Sequence, residues 1–239
     1  MTERSRGDID IAPDRFAIGA SRVQWDGAVL DIEVDERTMP PLGRIRGRIR
    51  VQPQALIDHE VALDPAGRHR WRPYAPQARV EVALASPKLS WSGRGYFDSN
   101  SGDEPLERGF RSWNWSRLGQ GDETLVLYDA QRRDGSRFEL ACLFSADGAI
   151  RDVKSPPEVQ LPRGMWGVAR PTRGEAPPKL LRKLEDAPFY TRSEIETTWR
   201  GQTMQGVHES LDLDRFSLPV VQAMLPFRMP RIARMIARK

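Results

Sequence analysis

Residues 95–118, "GYFDSNSGDEPLERGFRSWNWSRL", set four acids (Asp98, Asp103, Glu104, Glu107) beside Tyr96, Phe97, Trp113 and Trp115. Desolvation disfavours the charged form of a carboxyl group enclosed by rings, so such a group keeps its proton closer to neutral pH than a free Asp. That is the state a general acid needs. Aromatic faces also stabilise a nearby cation. An acid among rings is therefore a kit for protonating an alkene and holding the carbocation that results. The same residues also suit a loop between two strands with its Trp side chains in a core, and residue types alone leave both readings open.

A second group lies upstream. "GRHRWRPYAPQARVEV" offers His69, Trp71 and Tyr74 just before an expected strand. Taken alone, His69 suits a solvated or hydrogen-bonded loop histidine, and Trp71 a core residue. The 17 residues "ARVEVALASPKLSWSGR" are enough for a strand, a turn at Ser86-Pro87 and a returning strand. Such a hairpin is expected to bring Trp71 and Tyr96 to the same end of a barrel. Alternate residues of a strand share a face, so Tyr96 and Asp98 point the same way, as do Trp113 and Trp115.

The elements that must position these residues are strands. "AVLDIEVDE", "RIRGRIRV", "ARVEVALAS", "TLVLYDAQRR", "SRFELACLFS" and "SEIETTWRGQTMQGVHESLDL" all alternate apolar and polar residues. That period marks strands with one face on a core and one in water. Asp26-Gly27, Asp134-Gly135 and Asp147-Gly148 supply turns. "RRDGSRF" reads as a tight hairpin joining residues near 124–133 to residues near 136–145. Pro156-Pro157 and Pro177-Pro178 mark exposed connections. The one helical stretch is expected around residues 217–238, interrupted by Pro226 and Pro230. The pattern implies an all-β chain built as a barrel or sandwich.

Composition narrows the function classes. Seven Trp and eight Phe supply core material, which argues against disorder despite 29% charged residues. The residues from Phe216 to Lys239 hold five basic side chains (Arg228, Arg231, Arg234, Arg238, Lys239) and no acid; the rest carries 32 basic against 33 acidic. The net charge of +4 therefore belongs to the tail, and a nucleic-acid partner is not indicated. There is no Gly-rich phosphate loop, G-x-S-x-G or H-E-x-x-H. With one Cys and three His (His59, His69, His208), no spacing suggests a metal site, and neither metal nor cofactor is expected. Cys142, in an alternating apolar run, reads as a buried structural thiol, and one Cys permits a reducing compartment. "MTERSRGDID" is polar, without a signal-peptide pattern, and no apolar run approaches the roughly 20 residues a bilayer span needs.

"HRWRPYAPQARVEVALASPKLSWSGRGYFDSNSGDEPLERGFRSWNWSRL", followed by "LEDAPFYTRS", "VHESLDLDRF" and "LPFRMPR", resembles the successive blocks of the carotenoid 1,2-hydratases, or hydroxyneurosporene synthases. The resemblance covers nearly the whole chain. It implies two lipocalin-like antiparallel β-barrel domains, expected at residues 1–118 and 119–216, with a basic amphipathic tail at 217–239. Family members usually carry a further segment ahead of "MTERSRG", so the first barrel is expected to be short at its N-terminus. The resemblance also implies a cofactor-independent hydro-lyase that adds water across the terminal C1=C2 bond of an acyclic carotenoid such as neurosporene or lycopene. The family's acid maps onto Asp98, its motif Tyr onto Tyr96, and its H-x-W pair onto His69 and Trp71. On that mapping Asp98 donates the proton, and Trp71 and Tyr96 line the site. The water's surplus proton leaves to His69 or back to Asp98. Trp113 and Trp115 are expected against the substrate, and Asn100 is placed to orient a carboxyl or a water. A carotenoid substrate implies a cytoplasmic protein docked on a membrane surface. The alternatives are a related terpenoid cyclase or isomerase, and a non-catalytic barrel that binds apolar ligands.

Overall fold

The computed structural model describes residues 5–38 and 43–228. It is built almost wholly of antiparallel strands, as the alternating sequence requires. The first strands are β1 (Ile9–Ala12), β2 (Arg15–Ile18), β3 (Ser21–Trp25), β4 (Leu30–Thr38), β5 (Gly43–Pro53), β6 (Val61–Ala62), β7 (His69–Ser86) and β8 (Leu89–Gly102). They form one sheet in the order β1-β2-β3-β4-β5-β7-β6, with β8 also paired to β7. The arginine stripe of "RIRGRIRV" is answered across the strand pair, where Arg44 bonds Asp35 and Arg48 bonds Asp31. These exposed pairs set register more than they add stability.

The second sheet comes from β9 (Phe110–Gln120), β10 (Glu123–Arg132), β11 (Arg137–Ser145), β12 (Ile150–Asp152), β15 (Lys179–Asp186), β16 (Tyr190–Trp199) and β17 (Gln202–Asp212), in the order β12-β11-β10-β9-β17-β16-β15. A separate ribbon pairs β13 (Glu158–Leu161) with β14 (Arg170–Arg173). The expected hairpin is present: β10 and β11 pair from Glu123↔Ser145 to Gln131↔Arg137, and Gly135 at the turn takes a φ of 87° that a side chain would resist.

Contacts divide the chain into two compact units that do not follow chain order. One contains residues 1–56, 75–97 and 223–239, and the other residues 57–74 and 98–222. Residues 98–118, with the acid motif, therefore group with the strands that follow them. The chain passes between units within β7 and again within β8, between Phe97 and Asp98.

Three local expectations need correction. His69, Trp71 and Tyr74 do not precede a strand; they form the first third of β7. Pro73 and Pro76 do not break it, because the neighbouring chain donates to the carbonyls of Tyr74 and Gln77 and asks nothing of a proline nitrogen. Two one-turn helices, α1 (Leu106–Gly109) and α2 (Leu213–Phe216), cap strand ends, and Asp212 caps α2 by accepting from the Arg215 N–H. The terminal helix α3 (Pro219–Arg228) starts on a proline, where no donor is needed, and continues through Pro226. Pro230 and the tail residues Arg231, Ile232, Arg234, Met235, Ile236 and Arg238 lie outside the described residues.

The second sheet is used on both faces. One carries a core of Leu118, Leu125, Leu127, Leu143, Ile195 and Met204. On the same face sits a buried polar group: Ser116 Oγ bonds His208 Nδ1 at 2.8 Å, and His208 Nε2 bonds Ser210 Oγ at 3.0 Å. Burial, with the nearby charge of Arg170, lowers the His208 pKa to about 3, so the ring is neutral. The other face carries the aromatic residues that build the site.

Candidate active site

Trp71 and Asp98 form the centre of the site. Alternation on β7 buries His69 and Trp71 on one face and leaves Arg70 exposed. Trp71 is 0% exposed, and its indole N–H donates to Asp98 Oδ2 at 2.8 Å. This contact joins the start of β7 to the end of β8, which is what the expected hairpin would do. A buried indole has few partners to choose from, so the bond fixes the carboxyl as firmly as the ring.

Tyr128 is the hub of the surrounding rings. It lies edge-on to Trp71 at 6.0 Å, to Trp113 at 5.8 Å and to Phe138 at 5.9 Å. Its hydroxyl points to Asn100 Oδ1 at 3.5 Å. Burial first, then the charges of Asp98 and Glu209, push its pKa well above the usual value, so the phenol stays protonated. Phe144 closes the far side of Trp71 at 6.4 Å. The register explains the assembly: Tyr128 stands opposite Trp115, and Ala130 opposite Trp113, on one face of the second sheet.

His69 is held by Asp64, which the sequence reading did not single out. Asp64 Oδ2 accepts the His69 backbone N–H at 2.7 Å and lies 3.1 Å from Nδ1. Its Oδ1 accepts from the N–H groups of Ala66 and Arg68. Burial opposes a charge on Asp64, but these donors outweigh it and hold the carboxyl below its ordinary range. An anion at Nδ1 places the ring proton there and leaves the lone pair on Nε2. That nitrogen is buried and meets no protein partner. Phe110 packs edge-on at 4.9 Å. Gly102 and Gly109 press on the ring so closely that a Cβ at either would lie within 2.8 Å of it.

A second carboxyl lies on the aromatic face. Glu209 is the cross-strand partner of Trp115, and its side chain is 21% exposed. Arg192 Nε reaches its Oε1 at 3.2 Å, and Tyr190 donates a hydrogen bond to it. Burial is the main cause that raises its pKa, and the charge of Asp98 adds to it.

Of the sequence-predicted residues, His69, Trp71, Asp98, Asn100, Trp113 and Trp115 all fall in residues 57–74 and 98–222, the unit built on the second sheet. Tyr96 lies half-buried on β8 in the other unit, two positions before Asp98. Two other acids of the motif lie elsewhere: Glu104 pairs with Arg68, and Glu107 sits in the first turn of α1. Cys142 is buried, and its thiol donates to Asp152 at 3.2 Å; burial, then Asp152, pushes it up to about 12, which makes it inert. Among the described residues no cluster of three His, Cys, Asp or Glu could hold a metal ion.

Residues 1–238 match the family described as carotenoid hydratase CrtC. The chain belongs to that family. It is 51% identical over 235 residues to an acyclic carotenoid 1,2-hydratase of Thiocapsa roseopersicina, covering 97% of this chain and 58% of that protein. It is 44% identical over 234 residues to one of Cereibacter sphaeroides, covering 97% and 84%. The chain thus spans little more than half the length of the first relative. Its fold is similar to the crystal structure of a Nitrosomonas europaea protein described as AttH, with a TM-score of 0.56 at 13% identity over 87% of this chain and 72% of that one. Membership bears out the resemblance carried by the central motif, and the two antiparallel sheets bear out the all-β expectation.

Proposed function

We propose that the chain is an acyclic carotenoid 1,2-hydratase, which adds water to the terminal C1=C2 bond of a substrate such as neurosporene or lycopene without a cofactor. The observation that carries the reading is the Asp98 carboxyl, bonded to the wholly buried Trp71 indole among the rings of Tyr128 and Trp113. Family membership sets the substrate class.

The chemistry follows from carbocation stability. A proton from Asp98 adds to C2 and leaves the tertiary cation at C1. The ring faces of Trp71, Trp113 and Tyr128 supply the negative potential that a cation needs where water is sparse. Water attacks C1, and its surplus proton passes to His69 Nε2, the lone pair that Asp64 prepares, or returns to Asp98. Trp115 and Asn100 stand against the substrate, and Tyr96, two positions before Asp98 on β8, is the residue that matches the family's motif Tyr. The carotenoid reaches the site from a membrane surface, on which the basic, apolar C-terminal segment docks. Incubation with lycopene or neurosporene, followed by mass analysis for the gain of water, tests the reading. Asp98→Asn should abolish turnover and still bind the carotenoid; a variant that hydrates at the unmodified rate would exclude Asp98 as the acid.

A further inference from the structure

Strands β7 and β8 pair at the site and set His69 beside the acid. Asp98 of β8 meets the Trp71 indole, and four residues on, Gly102 lies against His69, where a Cβ would come within 2.8 Å of ring atom Cδ2. The Asp103 N–H donates to the Arg68 carbonyl at 2.9 Å and holds the two strands together there. Alternate residues share a face, so His69 and Trp71 point the same way, as do Asp98 and Asn100. A Cβ at Gly109 would lie 2.7 Å from Cε1 of the same ring, and Phe110 packs edge-on to it. The ring is thus held in a close-fitting slot, and its Nε2, buried, meets no partner among the described residues.

Asp64 dictates where the ring proton sits. β6 pairs Val61 with Trp71 of β7, and the Leu63 N–H donates to the His69 carbonyl at 2.8 Å, so the turn at 64–68 leads directly into His69. Arg132 of β10 donates to the Leu63 carbonyl at 3.0 and 2.7 Å and pins that turn. Asp64 Oδ1 accepts from the Ala66 and Arg68 N–H groups at 2.9 and 3.2 Å, which is all that the turn requires. Its Oδ2 accepts the His69 N–H at 2.7 Å and stands 3.1 Å from Nδ1. An asparagine could serve the turn, but its amide nitrogen could not accept at the second position. An ionised carboxylate only accepts, so Nδ1 carries the proton. We propose that Asp64 is a positioning residue that fixes His69 with its proton on Nδ1, so that Nε2, and not Asp98, takes the surplus proton of the attacking water. Resting on the hydratase reading and deepening it, Asp64 and His69 divide the proton traffic with Asp98. The proton given to C2 leaves Asp98 a carboxylate, which keeps the Trp71 N–H. The water oxygen bonds to C1, one of its O–H bonds breaks, and that proton goes to Nε2. In water an imidazole is the stronger base by about 2–3 pH units, and the Asp64 carboxylate stabilises the imidazolium that forms. A proton passed from His69 to Asp98 through solvent resets both groups.

Nitrogen-15 NMR of labelled histidines reads the tautomer directly, with His69→Gln identifying the His69 signals by their absence. In the unmodified protein the proton should sit on Nδ1. In Asp64→Asn, whose amide donates where the carboxylate accepted, it should move to Nε2. A proton on Nε2 of the unmodified protein, or an unchanged tautomer in a folded Asp64→Asn, overturns the proposal. In hydration assays Asp64→Asn should lower kcat about 100-fold or more and change KM less than about threefold, because Asp64 does not touch the substrate. If Asp64→Asn does not fold, His69→Ala decides with Asp64 intact. Free imidazole should restore its rate at least about tenfold, whereas N-methylimidazole, a comparable base with no N–H to give Asp64, should not. Equal rescue by both overturns the role of Asp64, and hydration by His69→Ala at the unmodified rate shows that Asp98 takes the proton and overturns it as well. The expected tautomers in a protein that hydrates neither lycopene nor neurosporene would refute the hydratase reading and leave the Asp64–His69 pair standing.

Discussion

The contact between Trp71 and Asp98 ties a fully buried side chain to the proposed acid, and substitutions can separate packing from chemistry. Trp71→Ala empties a fully buried site, which costs about 3–5 kcal/mol for a large aromatic. Any loss of rate in that variant would be uninterpretable without a melting curve. Trp71→Phe keeps one aromatic ring and removes the pyrrole half of the indole with the N–H that Asp98 accepts, leaving a smaller cavity than Ala does. It is expected to cost about 1–3 kcal/mol of stability and to lower hydration roughly 10- to 100-fold. Thermal melts beside steady-state rates check it; a melting temperature that falls while the rate holds would reduce Trp71 to a core residue. Tyr96→Phe, which removes a hydroxyl alone, is the matching test at the other motif position.

On the scale of elements, β17 is the informative strand. It presents His208 to the polar core and Glu209 to the aromatic face, one residue apart. His208 is neutral when folded, with a pKa of about 3, and near 6.5 when unfolded. Between those values the unfolded chain binds a proton that the folded one refuses, so stability rises with pH. The contribution is complete above about pH 6.5 and erodes below it by at most about 1.4 kcal/mol per pH unit. His208→Gln should flatten the acid limb of a melting-temperature profile; an unchanged slope would show that other groups dominate it. This strand also marks the limit of what the sequence made legible. Alternation located β4, β5, β10, β11, β16 and β17, and the Asp-Gly pairs located the turns β3–β4, β10–β11 and β11–β12, because those signals are local. Motif resemblance pointed to His69, Trp71 and Asp98, which fall in one unit, and to Tyr96 in the other. Glu209 and Tyr128 escaped, since their shared face with Trp115 depends on β9 pairing both β10 and β17. Nothing in "VHESLDL" records that partner. Asp64 escaped because its grip on His69 is a loop conformation rather than a spacing rule.

For the whole molecule, the question is how it would meet the proposed substrate, which lives in lipid. Among the described residues no helix is long and apolar enough to cross a membrane. Leu218, Val220 and Met224, at the start of the C-terminal segment, are exposed, while Val221 of the same helix is buried. Met165 and Trp166 are exposed on a loop tied to α2 by Arg215, which donates to the Trp166 carbonyl. Five basic residues follow, each worth about 1 kcal/mol near an anionic surface. Deleting residues 228–239 should abolish flotation with anionic vesicles at low salt, and high salt should do the same to the full chain. Equal flotation of both proteins under both conditions would place the anchor elsewhere. The two-sided second sheet has a further consequence, for change in chain length rather than residue type. Inserting or deleting one residue in β17 would exchange the places of His208 and Glu209, sending a carboxylate into the apolar core and an imidazole into the site. Descendants of this chain, natural or engineered, can lengthen its turns freely, but along this strand they can move only by substitution or in steps of two.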